Sequence, residues 1–414
     1  MIEQGQISNL ADEANATRDA ALQATAARRG ELPLRYLRQQ VHLTAPASDS
    51  ALALKAISDA CGAARRGLAR YEITAEDLAD RFDMDVTAVR DEVERTGTAP
   101  LVMLDLEDGV PPDLVADARR EAVSLFRDGE WADCLRFYRP SALASERCVD
   151  DLIAVLTGAG EGLEPSDYPI DGVIFPKLQH AHEVEWLDDR LADVESALGL
   201  EPNRIRVIYL IETGWGLANL EELAIAGIDR LAGIALGTVD LSADVGVPHV
   251  HFRHPLCEWA RSVIVTIAGG AKVPAIDGMT LDFPVGRREL SLRENHDLVL
   301  DRIEQCFGDA SHSIELGMAG RWVGHPLQLL ATMLAFRAAF PAGEIEAELD
   351  KLERFSVAMT DGKGAVAGGN SELLDVGTDT HTRAMLRRAA AWRLVDPHRL
   401  TSYGIVTADE VAAS

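Results

Sequence analysis

The sequence has few cysteines and no long apolar run. The five cysteines occur without a CxxC pair, which argues against a zinc site or a disulfide framework and favours buried or incidental thiols. No apolar run approaches the ~18 residues that a membrane-spanning helix needs. The first residues also lack the basic and apolar regions of a signal peptide. We therefore expect a soluble, cytoplasmic protein with no membrane partner.

Positive charge is scarce as well. The chain has 40 Lys and Arg against 67 Asp and Glu, a net charge of -27 at pH 7. Nucleic acids and anionic membranes are bound through clustered basic residues, so this balance excludes a general affinity for either. Any anionic ligand must be captured locally. No predicted strand is followed by GxGxxG or a P-loop, which disfavours a three-layer sheet with a nucleotide site.

Strand-like and helix-like segments alternate along most of the chain. Eight short apolar runs have the length and composition of buried parallel strands. They lie at 41–43, 101–104, 135–138, 172–175, 207–211, 233–236, 273–276 and 321–323. Eight such β/α units in one segment predict an α/β protein with a (β/α)8 TIM barrel, which we place at residues 35–340.

Three helical segments flank or interrupt this predicted barrel. Residues 1–34 are predicted to form an N-terminal helical arm, and residues 341–414 a C-terminal helical lid or oligomerisation segment. Residues 66–98 form a helical insertion, in which two amphipathic helices around a short turn resemble a helix-turn-helix. Because the insertion is acidic, a packing role is favoured over DNA binding, and no mobility shift with duplex DNA is expected.

Two acidic residues directly follow apolar runs. Glu212 follows the run at 205–211, and Asp240 follows the run at 233–239. The carboxyl ends of barrel strands form the mouth in which these enzymes do their chemistry. Two carboxylates from neighbouring strands are suited to one hard divalent cation, with positions left open for substrate oxygens. We predict Mg²⁺, with Mn²⁺ as the alternative.

A second acidic cluster follows the second predicted strand, at Asp105, Glu107 and Asp108. Carboxylates this close raise one another's pKa unless cations compensate them. They are therefore expected to pair with arginine, with metal or with metal-bound water. The third strand supplies Arg136 as the predicted partner, and the alternative for Arg136 is a structural ion pair inside the barrel.

Six short motifs follow one another along the predicted barrel. They are LDLEDGV at 104–110, GVIFPK at 172–177, IETGWG at 211–216, GTVDLSADVG at 237–246, PAIDG at 274–278 and GHPLQ at 324–328. These motifs resemble those of the HpcH/HpaI aldolase and citrate lyase β-subunit superfamily, which includes malyl-CoA and citryl-CoA lyases. They occur in the order of that family, and the resemblance spans roughly residues 38 to 370.

This resemblance implies roles for the residues already singled out. Glu212 and Asp240 would bind Mg²⁺, and Arg136 would hold the carbonyl or carboxylate oxygens of a small acid. Glu107 and Asp108 would orient water and the arginine. A divalent cation and a guanidinium together can stabilise an enolate without a Schiff-base lysine.

The resemblance also bears on the expected substrate contacts. Lys177 is not expected to be a nucleophile, and a structural ion pair or a contact to an acidic ligand group is expected instead. Pro46 and Ala47 match the turn before the family's coenzyme A entrance, and Lys55 would serve as the basic residue there. In malyl-CoA lyases of the family, an aspartate in the C-terminal lid reaches the site of a neighbouring subunit. Glu372 and Asp375 are the acidic residues near the corresponding place in this sequence, and neither is assigned that role. A homo-oligomer, a trimer or hexamer, is implied.

The leading hypothesis is a Mg²⁺-dependent carbon–carbon lyase that reversibly cleaves or forms a 3-hydroxyacyl-CoA, such as malyl-CoA, β-methylmalyl-CoA or citryl-CoA, through an enolate. A 2-keto-acid aldolase or a malate-synthase-like enzyme is the related alternative. A noncatalytic barrel acting as a regulatory or scaffolding protein is the alternative from another class. The presence of Arg136, Glu212 and Asp240 together argues against it.

Overall fold

The computed structural model describes residues 12–18, 20, 31–362, 364–368 and 373–412. Eight parallel strands pair in chain order and close on themselves, which confirms the predicted (β/α)8 barrel. The strands are β1 (Val41–Pro46), β2 (Leu101–Asp105), β3 (Leu135–Arg139), β4 (Gly172–Pro176), β5 (Arg206–Ile211), β6 (Leu231–Leu236), β7 (Ala275–Asp277) and β8 (Gly320–Val323).

Helices cover the outside of the barrel and extend it at both ends of the chain. As far as the structure describes them, none is both long and apolar enough to cross a membrane. Those up to β6 are α1 (residues 12–18), α2 (Ser50–Ser58), α3 (Ala60–Arg70), α4 (Ala75–Phe82), α5 (Val86–Val93), α6 (Val115–Asp128), α7 (Cys148–Gly160), α8 (Ala181–Leu198), α9 (Gly214–Ala218) and α10 (Leu220–Ala226). Those after β6 are α11 (Thr238–Asp244), α12 (Pro255–Gly270), α13 (Leu292–Glu315), α14 (Pro326–Ala339), α15 (Ala342–Thr360), α16 (Val376–Ala391), α17 (Pro397–Thr401) and α18 (Ala408–Ala412). The described residues also contain two short 3-10 helices, Leu34–Leu37 and Pro165–Asp167, and the antiparallel pair of β9 (Val366–Ala367) and β10 (Leu373–Leu374).

The strands lie where the apolar runs predict them, because parallel strands under helices are buried on both faces. Every residue of β2, β4 and β6 is buried. One shift is at β7, where Val273 lies in the turn that follows α12. Its backbone N–H donates to the Ala268 carbonyl, so the strand begins two residues later than predicted.

The amino-terminal ends of the strands are closed by the segment before β1. The Gln39 amide donates to the carbonyls of Tyr36 and Ala232. Trp392, which follows α16, donates to the Leu37 carbonyl and packs edge-to-face on Phe336. Helix α16 therefore packs at the end of the barrel opposite the mouth, and the lid or oligomerisation role of 341–414 stays a prediction. Most of the predicted arm 1–34 lies outside the described residues, but residues 12–18 are helical.

The 66–98 insertion packs on the barrel helices. Leu78 of α4 and Val89 of α5 are fully buried, in one apolar cluster with residues of α13 and α14. The ring of Phe82 stacks on that of Phe307, with centroids 4.1 Å apart. The packing interpretation is therefore confirmed, whereas the absence of DNA binding remains a prediction.

Truncating Leu78 tests how much this packing contributes. Leu78→Ala is expected to lower the free energy of unfolding by about 2–5 kcal/mol, because it removes buried methyl groups and leaves a cavity. Asp80→Ala, at an exposed position of the same helix, is the control. Urea denaturation followed by circular dichroism measures both, and equal midpoints for the two variants would contradict the packing role.

Candidate active site

Glu212 and Asp240 lie at the carboxyl ends of two paired strands. Glu212 directly follows β5, and Asp240 is in the first turn of α11 after β6. Between them Gly237 leaves room for the carboxylate, since a Cβ at position 237 would come within 2.5 Å of the Glu212 Cβ. The glycine is needed for close approach, so any side chain there would displace Glu212.

The Glu212 carboxyl is buried in a negative environment. Burial, followed by the charges of Glu107 and Asp240, raises the pKa of Glu212 to about 8, against the partial compensation of Arg139 and Lys177. Its Oε1 is buried without a hydrogen-bond partner, and the Lys177 Nζ is 3.9 Å away. The ionised form of Glu212 is therefore only partly compensated, which favours the neutral carboxyl group in the free protein.

Arg139 at the end of β3 organises the acidic cluster after β2. Its Nε and Nη2 each lie 2.7 Å from a carboxylate oxygen of Asp105, a buried bidentate pair. Although burial opposes it, Arg139 together with the backbone N–H groups of Glu107 and Gly109 lowers the pKa of Asp105. Asp105 stays ionised and fixes the guanidinium plane at the mouth.

Glu107 and Asp108 meet the same two cations. The Lys177 Nζ lies 2.8 Å from Glu107 and 3.7 Å from Asp108. The Arg139 Nη1 lies 3.1 Å from Glu107 Oε2, close enough for an ion pair but off the direction of a hydrogen bond. Burial raises the pKa of Glu107, a shift that Arg139 and Lys177 offset in part. Lys177 has a left-handed backbone (φ 58°), which L-residues rarely adopt.

The predicted position of Arg136 is wrong. Arg136 lies near the amino-terminal end of β3, with its guanidinium 5.5 Å from the Trp131 ring, and lines a cavity outside the mouth. Successive strand residues point to opposite faces, and Tyr138, two residues from Arg136, points outward to hydrogen-bond α7. Arg139 has the opposite orientation. The alternation could have identified Arg139, but the sequence analysis missed it.

Three buried oxygens at the mouth have no hydrogen-bond partner among the described residues, and oxygens are the ligands that a hard cation takes. They are Oε1 of Glu212, Oε2 of Glu107 and the Thr238 hydroxyl, another residue that the sequence analysis missed. The described part of the chain has no cluster of three or more His, Cys, Asp and Glu arranged for a metal. A two-carboxylate site still fits Mg²⁺, which keeps several waters and is often bound through one or two carboxylates.

Of the remaining predicted residues that the structure describes, Pro46 lies next to the acidic cluster. Pro46 ends β1 in register with Asp105. Lys55 is exposed on α2, and no hydrogen bond or ion pair of the described residues brings it to the acidic cluster. Asp375 accepts from the Thr378 N–H and caps α16, whereas Glu372 is not described.

Magnesium binding should release protons if Glu212 is a ligand. At pH 7 a carboxyl of pKa about 8 is mostly protonated, and Mg²⁺ binds only the ionised form, so about one proton should leave per ion. The apparent affinity should rise from pH 6 to about pH 8 and then level off. Calorimetry in buffers of different ionisation enthalpy measures the release, and no proton release at pH 7 would contradict this assignment.

A sequence model of the HpcH/HpaI aldolase/citrate lyase family matches residues 92–287, the segment that contains Asp105, Arg139, Glu212 and Asp240. This match confirms the predicted resemblance to the family over that segment. It is 26% identical over 313 residues to an L-malyl-CoA/β-methylmalyl-CoA lyase of Rhodobacter capsulatus, covering 70% of this chain and 87% of the relative. This agreement confirms the predicted enzyme class, a carbon–carbon lyase.

Solved structures of the family have the same fold. A citrate lyase from Burkholderia xenovorans LB400 superposes with a TM-score of 0.58 at 18% identity, over 91% of this chain and 95% of that one. The CitE protein of Mycobacterium tuberculosis, in complex with magnesium, acetoacetate and coenzyme A, superposes with a TM-score of 0.51 at 22% identity, over 86% and 99% of the two chains. At these identities the likeness supports the barrel and nothing finer.

Proposed function

We propose that the protein is a Mg²⁺-dependent lyase that reversibly cleaves or forms a 3-hydroxyacyl-CoA thioester through an enolate. One observation carries the proposal. The Glu212 carboxyl, whose buried Oε1 has no hydrogen-bond partner, lies at the barrel mouth near the two cations Arg139 and Lys177. Glu212 and Asp240 would hold the metal ion, which supplies positive charge to an oxygen of the enolate or of the second product.

The residues of the chain would divide the remaining work. Asp105 occupies one edge of the Arg139 guanidinium, formed by Nε and Nη2. Nη1 lies beside Glu107 and Asp108, from where it would donate to a substrate oxygen. Lys177 pairs with Glu107 and so limits the negative charge around the substrate. In the cleavage direction the hydroxyl proton leaves, the C2–C3 bond breaks to a carbonyl and a thioester enolate, and the enolate carbon takes up a proton.

A thioester substrate is favoured over a free 2-keto acid. The relative in R. capsulatus is named for malyl-CoA and β-methylmalyl-CoA, and the neighbour in M. tuberculosis was solved with coenzyme A. A thioester also acidifies its α-carbon, which helps a site that forms no Schiff base. Although burial opposes it, the contacts with Glu107 and Glu212 raise the pKa of Lys177, the opposite of what a nucleophilic lysine needs. A role for Lys55 and Pro46 at a coenzyme A entrance is part of this proposal.

The test separates the thioester from the keto acid. The protein is incubated with Mg²⁺, glyoxylate and either acetyl-CoA or propionyl-CoA, and in parallel with Mg²⁺, pyruvate and an aldehyde, and products are followed by mass spectrometry. Condensation with an acyl-CoA is expected. A product formed only in the pyruvate reaction would show that the substrate is a 2-keto acid and not a thioester.

We also propose that the protein is a homo-oligomer, a trimer or hexamer. Light scattering of the same protein would test this oligomeric state.

A further inference from the structure

A second cavity lies at the opposite end of the barrel from the candidate active site. It encloses about 590 Å³ between the start of β3, the 3-10 helix Leu34–Leu37 and the end of α16. Five arginines line it, namely Arg35, Arg38, Arg136, Arg204 and Arg393. Cavities of this size hold small-molecule ligands.

The cavity concentrates positive charge in an acidic protein. Three aspartates, Asp133, Asp167 and Asp171, are its acidic lining residues, so five guanidinium groups against three carboxylates leave a formal charge of +2. The whole chain carries -27. An anion approaching this protein is repelled by most of the surface but is attracted by this cavity.

Two of the aspartates are shared between donors. Asp133 accepts from Arg38 at 2.9 Å and also pairs with Arg393. Burial, followed by the nearby charge of Arg393, lowers the pKa of Arg38, so one carboxylate does not compensate both cations. Asp171 is also used twice, by the Arg35 guanidinium at 2.8 Å and by the backbone N–H of Arg136 at 2.9 Å.

The other two arginines have no carboxylate partner among the described residues. Arg204 donates to the backbone carbonyls of Ile170 and Tyr168, both at 3.0 Å, which leaves its charge uncompensated. The Arg136 guanidinium lies over the Trp131 ring at 5.5 Å. That aromatic contact leaves the planar N–H donors available for an oxyanion.

We propose that this cavity is a binding site for a small multivalent oxyanion, carrying phosphate or carboxylate groups, with Arg136 as its principal contact. Guanidinium groups match both kinds of oxyanion in bidentate geometry. Because Arg393 follows α16 and Arg136 belongs to β3, the anion bridges the carboxyl-terminal segment and the barrel. It therefore stabilises their docking. This site is independent of the function proposed for the mouth.

Isothermal titration calorimetry of the full-length protein with pyrophosphate tests the proposal. Low ionic strength preserves the attraction, and EDTA prevents a metal from recruiting pyrophosphate to the mouth. One equivalent is expected to bind and to raise the melting temperature. Arg136→Gln should weaken binding at least tenfold, and Arg393→Gln on the opposite wall should also weaken it. Arg120→Gln, at an exposed arginine of α6, is the matched control and should bind as the wild type does.

Citrate and orthophosphate resolve the ligand class. Tighter binding of pyrophosphate than of citrate would assign phosphate groups, and the reverse order would assign carboxylates, with orthophosphate weaker than either. Absence of binding by the wild type would overturn the proposal. Unchanged affinity in an Arg136→Gln variant that retains the wild-type circular dichroism would also overturn it. Loss of binding in Lys177→Gln would overturn it too, because it would show that the anion binds at the mouth.

Discussion

Glu212→Gln is expected to abolish metal-dependent turnover, with a loss of at least ~10³-fold, and at the same time to stabilise the metal-free protein. The amide removes the ionised metal ligand while it keeps the shape of the side chain. It also removes a carboxyl group whose pKa burial raises to about 8. Each unit by which the folded pKa exceeds the unfolded one corresponds to ~1.4 kcal/mol, so the expected gain in stability is on the order of a few kcal/mol.

The size of this gain in stability depends on pH. A raised carboxyl pKa means that the folded state binds more protons than the unfolded state. The wild type therefore loses stability as pH rises from the ordinary range of a glutamate through about 8. Calorimetric melting in EDTA should show a larger advantage of Glu212→Gln at pH 9 than at pH 6. Glu185→Gln, at an exposed position of α8, is the control, and wild-type Mg²⁺ affinity in the Glu212 variant would remove Glu212 from the metal site.

Arg139→Lys should have the second largest effect. The lysine ammonium cannot reproduce the two parallel contacts to Asp105 and also reach Glu107, so the buried carboxylates lose their compensation. We expect kcat/KM to fall by at least ~100-fold, since one guanidinium both fixes the acidic cluster and faces the substrate. Breaking a buried pair also destabilises the fold by about 3–5 kcal/mol when a partner is lost outright.

Arg136→Lys distinguishes the two arginines of β3. It should be at least tenfold more active than Arg139→Lys, because Arg136 lies at the other end of the strand. Steady-state kinetics in the acyl-CoA assay, with melting temperatures measured on the same samples, compares them. Equal losses of activity with intact folding would return Arg136 to the catalytic machinery.

The barrel and the two metal-site carboxylates could be predicted because both depend on position along the chain. A buried parallel strand must be apolar throughout, and a residue directly after it, such as Glu212, must lie at the mouth. Choosing whether Arg136 or Arg139 lies at the mouth also required knowing which face of β3 points into the barrel. Three residues along a strand reverse the face and move the side chain by roughly 10 Å, so the choice depends on which face is inward.

The ion pairs between residues far apart in the sequence could not be predicted. That Arg139 is held by Asp105, or that Lys177 reaches Glu107, follows from which strands lie side by side and from a left-handed residue after β4. The position of α16 at the end of the barrel could not be predicted either, because there it contacts Leu34–Leu37, some 340 residues earlier in the chain. No local sequence pattern indicates a contact between residues so far apart in the chain.

The glycine at position 237 limits which residues related barrels can carry at positions 212 and 237. The residue offers no functional group, yet a single carbon there would occupy the space of the Glu212 side chain. Positions 212 and 237 should therefore be linked in variation. Sequences that keep the acid should keep a glycine, and those in which the acid has been replaced by a smaller residue can accept a larger neighbour. A glycine at position 237 would thus indicate, in a related chain, whether the acid at the mouth still has room to act.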